Sequence, residues 1–259
     1  MKLNKYLEKI AQGKSINLDR FIECLPYSDL NEWRKVYSAV RVRGGYQLTI
    51  VDEEQHQALY RPEPSDRVTA SHVGRSHDFP SNFAHVLVLN DITKSQVPFV
   101  VVSDINGYKT GGKLVGKRAV LIENIENFYR YQEFLNLIGH PTLVNNSDII
   151  FGAGNQICHR LNRPFLSIYE ELYCAQDVEL GGLTIYKTLK TYLPQCSWLA
   201  PVDWEIFRDK FKLKPQNSSH LVKAIDLARE LGLNTEADLM NQTRAFLEQE
   251  ALLPDLAQD

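Results

Sequence analysis

The sequence contains no apolar run that approaches the roughly 20 residues a helical membrane span needs. Its opening stretch, MKLNKYLEKIAQGK, is amphipathic and charged and lacks the apolar core of a signal peptide. Cysteine is scarce. The four present are Cys24, Cys158, Cys174 and Cys196, and no two of them form a CxxC pair. That spacing argues against both a zinc knuckle and a disulfide framework. An excess of positive charge is missing too: 29 Lys and Arg stand against 32 Asp and Glu, a net charge of −3. A nucleic-acid binder of this composition must carry its attraction in local basic patches. The expected compartment is the cytoplasm, with no membrane association.

What is there is ordinary globular material. The 259 residues are 44% hydrophobic and 24% charged, enough for one large domain or two small ones. Leu3, Tyr6, Leu7 and Ile10 recur at helical spacing over residues 2–12, and Leu18, Phe21, Ile22 and Leu25 repeat the pattern up to Pro26. Ser28 or Asp29 is placed to cap a third helix with Leu30, Trp33, Val36 and Tyr37 on one face. The stretch VRVRGGYQLTIVD then reads as a hairpin turning at Gly44-Gly45. Three short helices and a hairpin are the order of a winged-helix module over residues 1–52. In such a module Arg34 and Lys35 ride on the groove-reading helix, and Arg41 and Arg43 lie on the wing. The plainer reading is a helical cap with a solvated hairpin.

Residues 53–118 read as a connecting segment. Its first part is polar and holds Pro62, Pro64 and Pro80. His72, Arg75 and His77 lie there, solvated or available to phosphate, with solvation the simpler reading. Two strand-like runs follow, Phe83–Leu89 and Phe99–Ser103, and then the densest basic stretch of the chain, with Lys109, Lys113, Lys117 and Arg118. It immediately precedes an acidic strand, where a phosphate backbone would have to pass.

From Ala119 strands and helices alternate. The expected strands are 119–123, 148–151, 172–176 and 196–199. The expected helices are 125–138, 155–161 and 183–193. This is an α/β pattern with a small parallel sheet covered on both faces. Residues 203–253 read as helical, and the tail beyond Pro254 as frayed. The first and third strands end on acids: Glu123, then Asp177 with Glu179. Carboxyl ends of parallel strands share one edge, and ligands bind there. Three carboxylates on one edge suit a hard cation such as Mg²⁺. Acids after strands also cap the next helix, which is the competing explanation for Glu126 in particular. Gly152 and Gly154 can cradle phosphate at a helix start, although plain turn glycines explain them as well.

The segment Glu123–Phe128 (ENIENF), the pattern D-x-E-x-G-G-L-x-I from Asp177 to Ile185, and LEQE at 247–250 resemble a TOPRIM domain. The version here is most similar to the nuclease subunits of Wadjet-type SMC systems (JetD, also called MksG) and to the related topoisomerase VI A subunits. The resemblance covers residues 119–253, and residues 1–52 in architecture only. It departs from the family's DxD pair by placing Glu179 at the second acidic position. It implies a metal-dependent DNA endonuclease with Mg²⁺, or Mn²⁺ in its place. Asp177 and Glu179 are the implied metal ligands and Glu123 a third ligand or the general base, with Glu126 and Glu250 as lesser candidates for a second ion. It also implies a homodimer working beside an SMC–kleisin complex of the MksBEF/JetABC type in plasmid defence. Arg34, Lys35, Arg41, Arg43, Lys109, Lys113 and Lys117 are the residues expected to touch DNA. Two other functions stay open: a non-catalytic DNA-binding adaptor, and a topoisomerase-like subunit whose nucleophile would come from Tyr27, Tyr37 or Tyr46.

Overall fold

The computed structural model describes residues 2–27, 29, 31–60, 66–72, 74, 76–93 and 96–255, without the side chains of Lys2, His77 and Thr93. Ser28, Leu30, Pro62, Pro64, Arg75, the His77 side chain and the last four residues of the tail lie outside this description. The chain divides into two units, Met1–Pro80 and Ser81–Asp259.

The first unit opens with α1 (Lys2–Ala11), which buries Leu7 and Ile10. Helix α2 (Leu18–Ile22) starts at Asn17, whose side chain accepts the Arg20 N–H, a standard N-cap. The expected third helix is a single turn, α3 (Trp33–Val36), because Tyr37 is taken by the hairpin. That hairpin joins β1 (Tyr37–Val42) to β2 (Gly45–Ile50), pairing Val42 with Gly45. Gly45 is needed where it stands: a Cβ there would collide with the Ile16 carbonyl oxygen. The supposed connecting segment is not featureless. Asp52 caps α4 (Glu53–Ala58), and Asp66 makes a capping box for α5 (Arg67–Ser71). Helix α4 contributes His56 to the core, where its Nδ1 meets the Tyr37 hydroxyl at 2.7 Å.

The second unit is built on a seven-stranded mixed sheet of order β5-β4-β3-β7-β6-β8-β9. Its strands are β3 (Ala84–Leu89), β4 (Phe99–Asp104), β5 (Gly107–Thr110), β6 (Arg118–Ile122), β7 (Asp148–Phe151), β8 (Glu171–Ala175) and β9 (Cys196–Trp198). The last four pair in parallel, and β3–β4–β5 extend the sheet antiparallel. Strands β6 and β7 are almost wholly buried, as a sheet covered on both faces requires. Val120 and Ile122 face one layer, with α6 (Ile125–Tyr129), α7 (Tyr131–Leu137), α8 (Thr142–Asn146), α11 (Ser218–Glu230) and α12 (Asn234–Thr243). Ala119 and Leu121 face the other, with α9 (Arg163–Leu166) and α10 (Leu180–Tyr192).

Three expected helices come out differently. The one over 125–138 breaks at Arg130, which leaves the helical region at φ −99°, ψ 28°. The one over 155–161 becomes two 3₁₀ turns, Gly154–Cys158 and Arg160–Asn162, because Ala153 is left-handed and His159 extended. The C-terminal stretch is not wholly helical: left-handed Arg244 ends α12, and the chain then runs out to pair Phe246 with Leu213 and Leu247 with Val178. Among the described residues no helix is long and apolar enough to cross a membrane.

Candidate active site

The parallel register makes the site. Ile122 stands opposite Ala175, so β6 and β8 end level with each other. The next residues are therefore neighbours: the Glu123 N–H donates to the Ala175 carbonyl at 3.2 Å, and the Asp177 N–H donates to Glu123 Oε2 at 3.3 Å. On the other side of β6, the Gly152 N–H donates to the Ile122 carbonyl at 2.8 Å, bringing the turn after β7 beside Glu123.

Asp177 is held from two directions. Asn124 Nδ2 donates to its Oδ1 at 2.9 Å, and the Gln249 N–H donates to the same oxygen at 2.8 Å. Gln249 reaches it because Leu247 has paired with Val178, and Asn127 Nδ2 fixes the Gln249 carbonyl at 3.0 Å. Among the described residues no hydrogen bond reaches Asp177 Oδ2 or Glu123 Oε1. The amide oxygens of Asn127, Gln176 and Gln249 are buried with no hydrogen-bond partner among the described residues. Such atoms carry a real cost, which a water or a cation relieves.

Electrostatics single out the two acids. Burial, with the Asp177 charge next and Glu179 behind it, raises the Glu123 carboxyl to about 7. Burial also raises Asp177, to about 6, against the two hydrogen bonds that favour its ionised form. A strongly perturbed pair of acids at a strand edge is what a working site looks like. The thiols nearby are not reactive: burial pushes Cys158 up to about 11 and Cys174 well above its ordinary range.

No protein-family model matches this chain, and no curated protein does either.

The expected trio is only partly assembled. Among the described residues no three His, Cys, Asp or Glu side chains gather as a metal site. Glu123 and Asp177 come together, while Glu179 stands at the N-cap of α10 and acts on both through its charge. Its longer side chain leans over Gly181. Glu126 and Glu250 are exposed at the rim. The donors that are present are all oxygens, which suits a hard cation, and Mg²⁺ uses only one or two protein carboxylates beside substrate phosphate and water.

The basic residues are scattered. Arg34, Lys35, Arg41 and Arg43 are exposed in the first unit, Lys35 paired with Glu32 at 3.8 Å. Lys109 lies on β5 opposite Val102, four strands from β6, which is about 19 Å at the usual strand spacing. Lys113 and Lys117 are at the wrong end of the sheet for the acidic edge. The Lys113 carbonyl accepts from Asn90 just past β3, and Lys117 precedes β6, one strand length from Glu123. Arg118 is spent on Glu171, at 2.9 and 3.1 Å. The basic stretch precedes the acidic strand in sequence, and for that reason sits at its opposite end in space. Asn124, Asn127 and Gln249 lie inside the ENIENF and LEQE segments that carry the resemblance, yet no role for them could be read there, and Gln176 stands outside both, because an amide gains its role only when the fold joins it to an acid.

Proposed function

We propose that this chain is a divalent-metal-dependent DNA endonuclease of the TOPRIM kind, the cleaving subunit of a condensin-like SMC system of plasmid defence. The observation that carries the reading is the contact between Glu123 and Asp177 at the shared end of adjacent parallel strands. The run of helices and hairpin in residues 1–52 supports a winged-helix role for the first unit, although its third helix is one turn long. Asp177 and Glu179 are the proposed ligands of Mg²⁺ or Mn²⁺, and Glu123 is the third ligand or the general base. The bound cation would neutralise the phosphodiester and activate water. Asn124 and the Gln249 N–H hold Asp177 in place. Glu123, titrating near neutrality, is poised to take a proton from the attacking water.

The test is cleavage of supercoiled plasmid with Mn²⁺ or Mg²⁺, alone and beside the SMC–kleisin complex. Nicking or linearisation is expected, and its loss in both Glu123→Ala and Asp177→Ala ties it to this edge. Intact plasmid in both settings, with DNA still bound, would favour the adaptor. The adaptor is the second reading because Glu179 stands where the family has Asp, at the N-cap position of α10 with no side-chain capping bond, and among the described residues no trio of ligands closes. A tyrosine nucleophile has less support. The Tyr37 hydroxyl is buried against His56, and burial raises it well above the usual phenol range. A covalent protein–DNA adduct under cleaving conditions would restore that alternative.

A further inference from the structure

The densest basic run of the sequence does not reach the acidic edge, yet three other cations line one cavity from which the chain runs on to that edge. A cavity of about 620 Å³ opens between Phe211 and Thr243, lined by Lys212, Lys214 and Arg244 with Ser218 and Leu221. No carboxylate is among the lining residues. All three cations are exposed, and among the described residues none of them makes an ion pair. Lys187, Arg130 and Arg208 of the same unit, by contrast, all pair with acids. Three like charges around one concavity repel each other, and a protein of net charge −3 has acids available to neutralise them but places none here.

The cavity is tied to the acidic edge by covalent chain. Arg244 and Ala245 line it, Leu247 pairs with Val178, and the Gln249 N–H holds Asp177. The five residue steps from Arg244 to Gln249 reach at most about 18 Å. Along a duplex that is about five base pairs. Lys212 and Lys214 reach the same place through Leu213, which pairs with Phe246.

We infer that this cavity is a backbone subsite: Lys212, Lys214 and Arg244 hold phosphates of the nucleic acid a few nucleotides from the bond presented to Glu123 and Asp177. The inference rests on the endonuclease reading for what lies at the acidic edge. The ligand class is a phosphodiester chain, bound without reading of bases, since lysine ammonium groups and an arginine fork recognise phosphate oxygens.

The experiment is fluorescence anisotropy of a labelled DNA duplex in EDTA, titrated with the full chain over a range of salt. The variant is Lys212→Gln, Lys214→Gln and Arg244→Asn together. Asn tolerates the left-handed backbone of position 244, so the variant keeps its fold, checked by its melting curve. At about 50 mM salt the variant is expected to bind at least tenfold more weakly. Its slope of log affinity against log salt is expected to fall by about 2 to 3, one for each phosphate that is no longer neutralised. Lys187→Gln removes a cation already paired with Glu230 and is the control, with wild-type affinity and slope. Competing inorganic phosphate separates a chain subsite from a site for the free anion: displacement of the duplex only at high millimolar phosphate supports the subsite, and displacement at low concentration overturns it. Wild-type affinity and slope in the triple variant overturn the inference, as does a wild type that does not bind DNA at low salt. Failure of the endonuclease reading shows separately, as intact plasmid in the cleavage assay.

Discussion

Gly181 and Gly182 stand side by side in the first turn of α10 and do different work. A Cβ at Gly182 would collide with the Asp177 carbonyl oxygen and approach its nitrogen to 3.0 Å, so the helix can sit on the Asp177 backbone only without a side chain there. A Cβ at Gly181 would meet only the flexible end of Glu179, at 2.6 Å from Oε1. Gly182→Ala is therefore expected to cost about 1–3 kcal/mol, the usual range for overpacking. Gly181→Ala should be neutral or gain up to about 1 kcal/mol from helix propensity while displacing Glu179. Thermal melts of the two variants check the pair, and equal losses would contradict the distinction. Glu123 and Asp177 make a second residue-scale prediction. Their carboxyls are raised in the folded protein, so the native state binds more protons than the unfolded chain. The stability this adds is complete below the ordinary carboxylate range and is lost as pH rises through about 6 to about 7. Without divalent ions, Glu123→Gln should flatten that part of the stability curve, by an amount on the order of 2 kcal/mol between pH 5 and 8. Urea unfolding at the two pH values measures it.

At the scale of elements, the two ends of the parallel sheet are treated in opposite ways. At the carboxyl ends acids are crowded and only partly satisfied. At the amino ends a fully buried acid is amply satisfied. Asp148, the first residue of β7, accepts from Asn90 Nδ2 at 2.7 Å, from the Val115 and Gly116 N–H groups, and from the Tyr169 hydroxyl at 3.1 Å. It ties the loop before β6 to the sheet. Asp148→Ala would orphan those donors and should cost about 3 kcal/mol, against about 1 kcal/mol for Tyr169→Phe. Chemical denaturation of both variants tests the ranking. Hydrogen exchange should place the loss in residues 113–118 and β7 first, because those are the elements Asp148 joins.

The whole molecule has little net charge to work with, so its field is local: acids at one sheet edge, cations around the cavity by Arg244. If a divalent cation binds at the acidic edge, it must compete with the protons that the pair retains. Adding Mg²⁺ or Mn²⁺ should raise the melting temperature at about pH 8, where both carboxyls are ionised, and have much less effect near pH 5.5, where they are largely protonated. Chelation should reverse the gain, and Asp177→Asn should abolish it. A shift that is equal at both pH values would locate the cation elsewhere.

Much of the fold was legible along the chain because the signals are local. Apolar runs of strand length and acids at their ends are each set by a few neighbouring residues. The caps were not legible in the same way: Asp29, expected to cap the third helix, accepts the Asn31 N–H instead and α3 begins after Glu32, while Asn17 and Asp52 cap helices for which no cap was expected. Strand β7 lies where its DIIF run predicts. The sequence by itself thus determined an α/β unit with Glu123 and Asp177 at strand ends. What only the tertiary structure decided was adjacency. The β6–β8 register joined two acids 54 residues apart, while the Leu247–Val178 pairing brought Gln249 onto Asp177 across 72 more. Strand direction, which no local pattern encodes, sent Lys113 and Lys117 to the far end of the sheet. Arg244, far along the chain from Lys212 and Lys214, came to line one cavity with them. Propensity and periodicity act over a few residues, whereas a site is made by pairings that only the packed core selects.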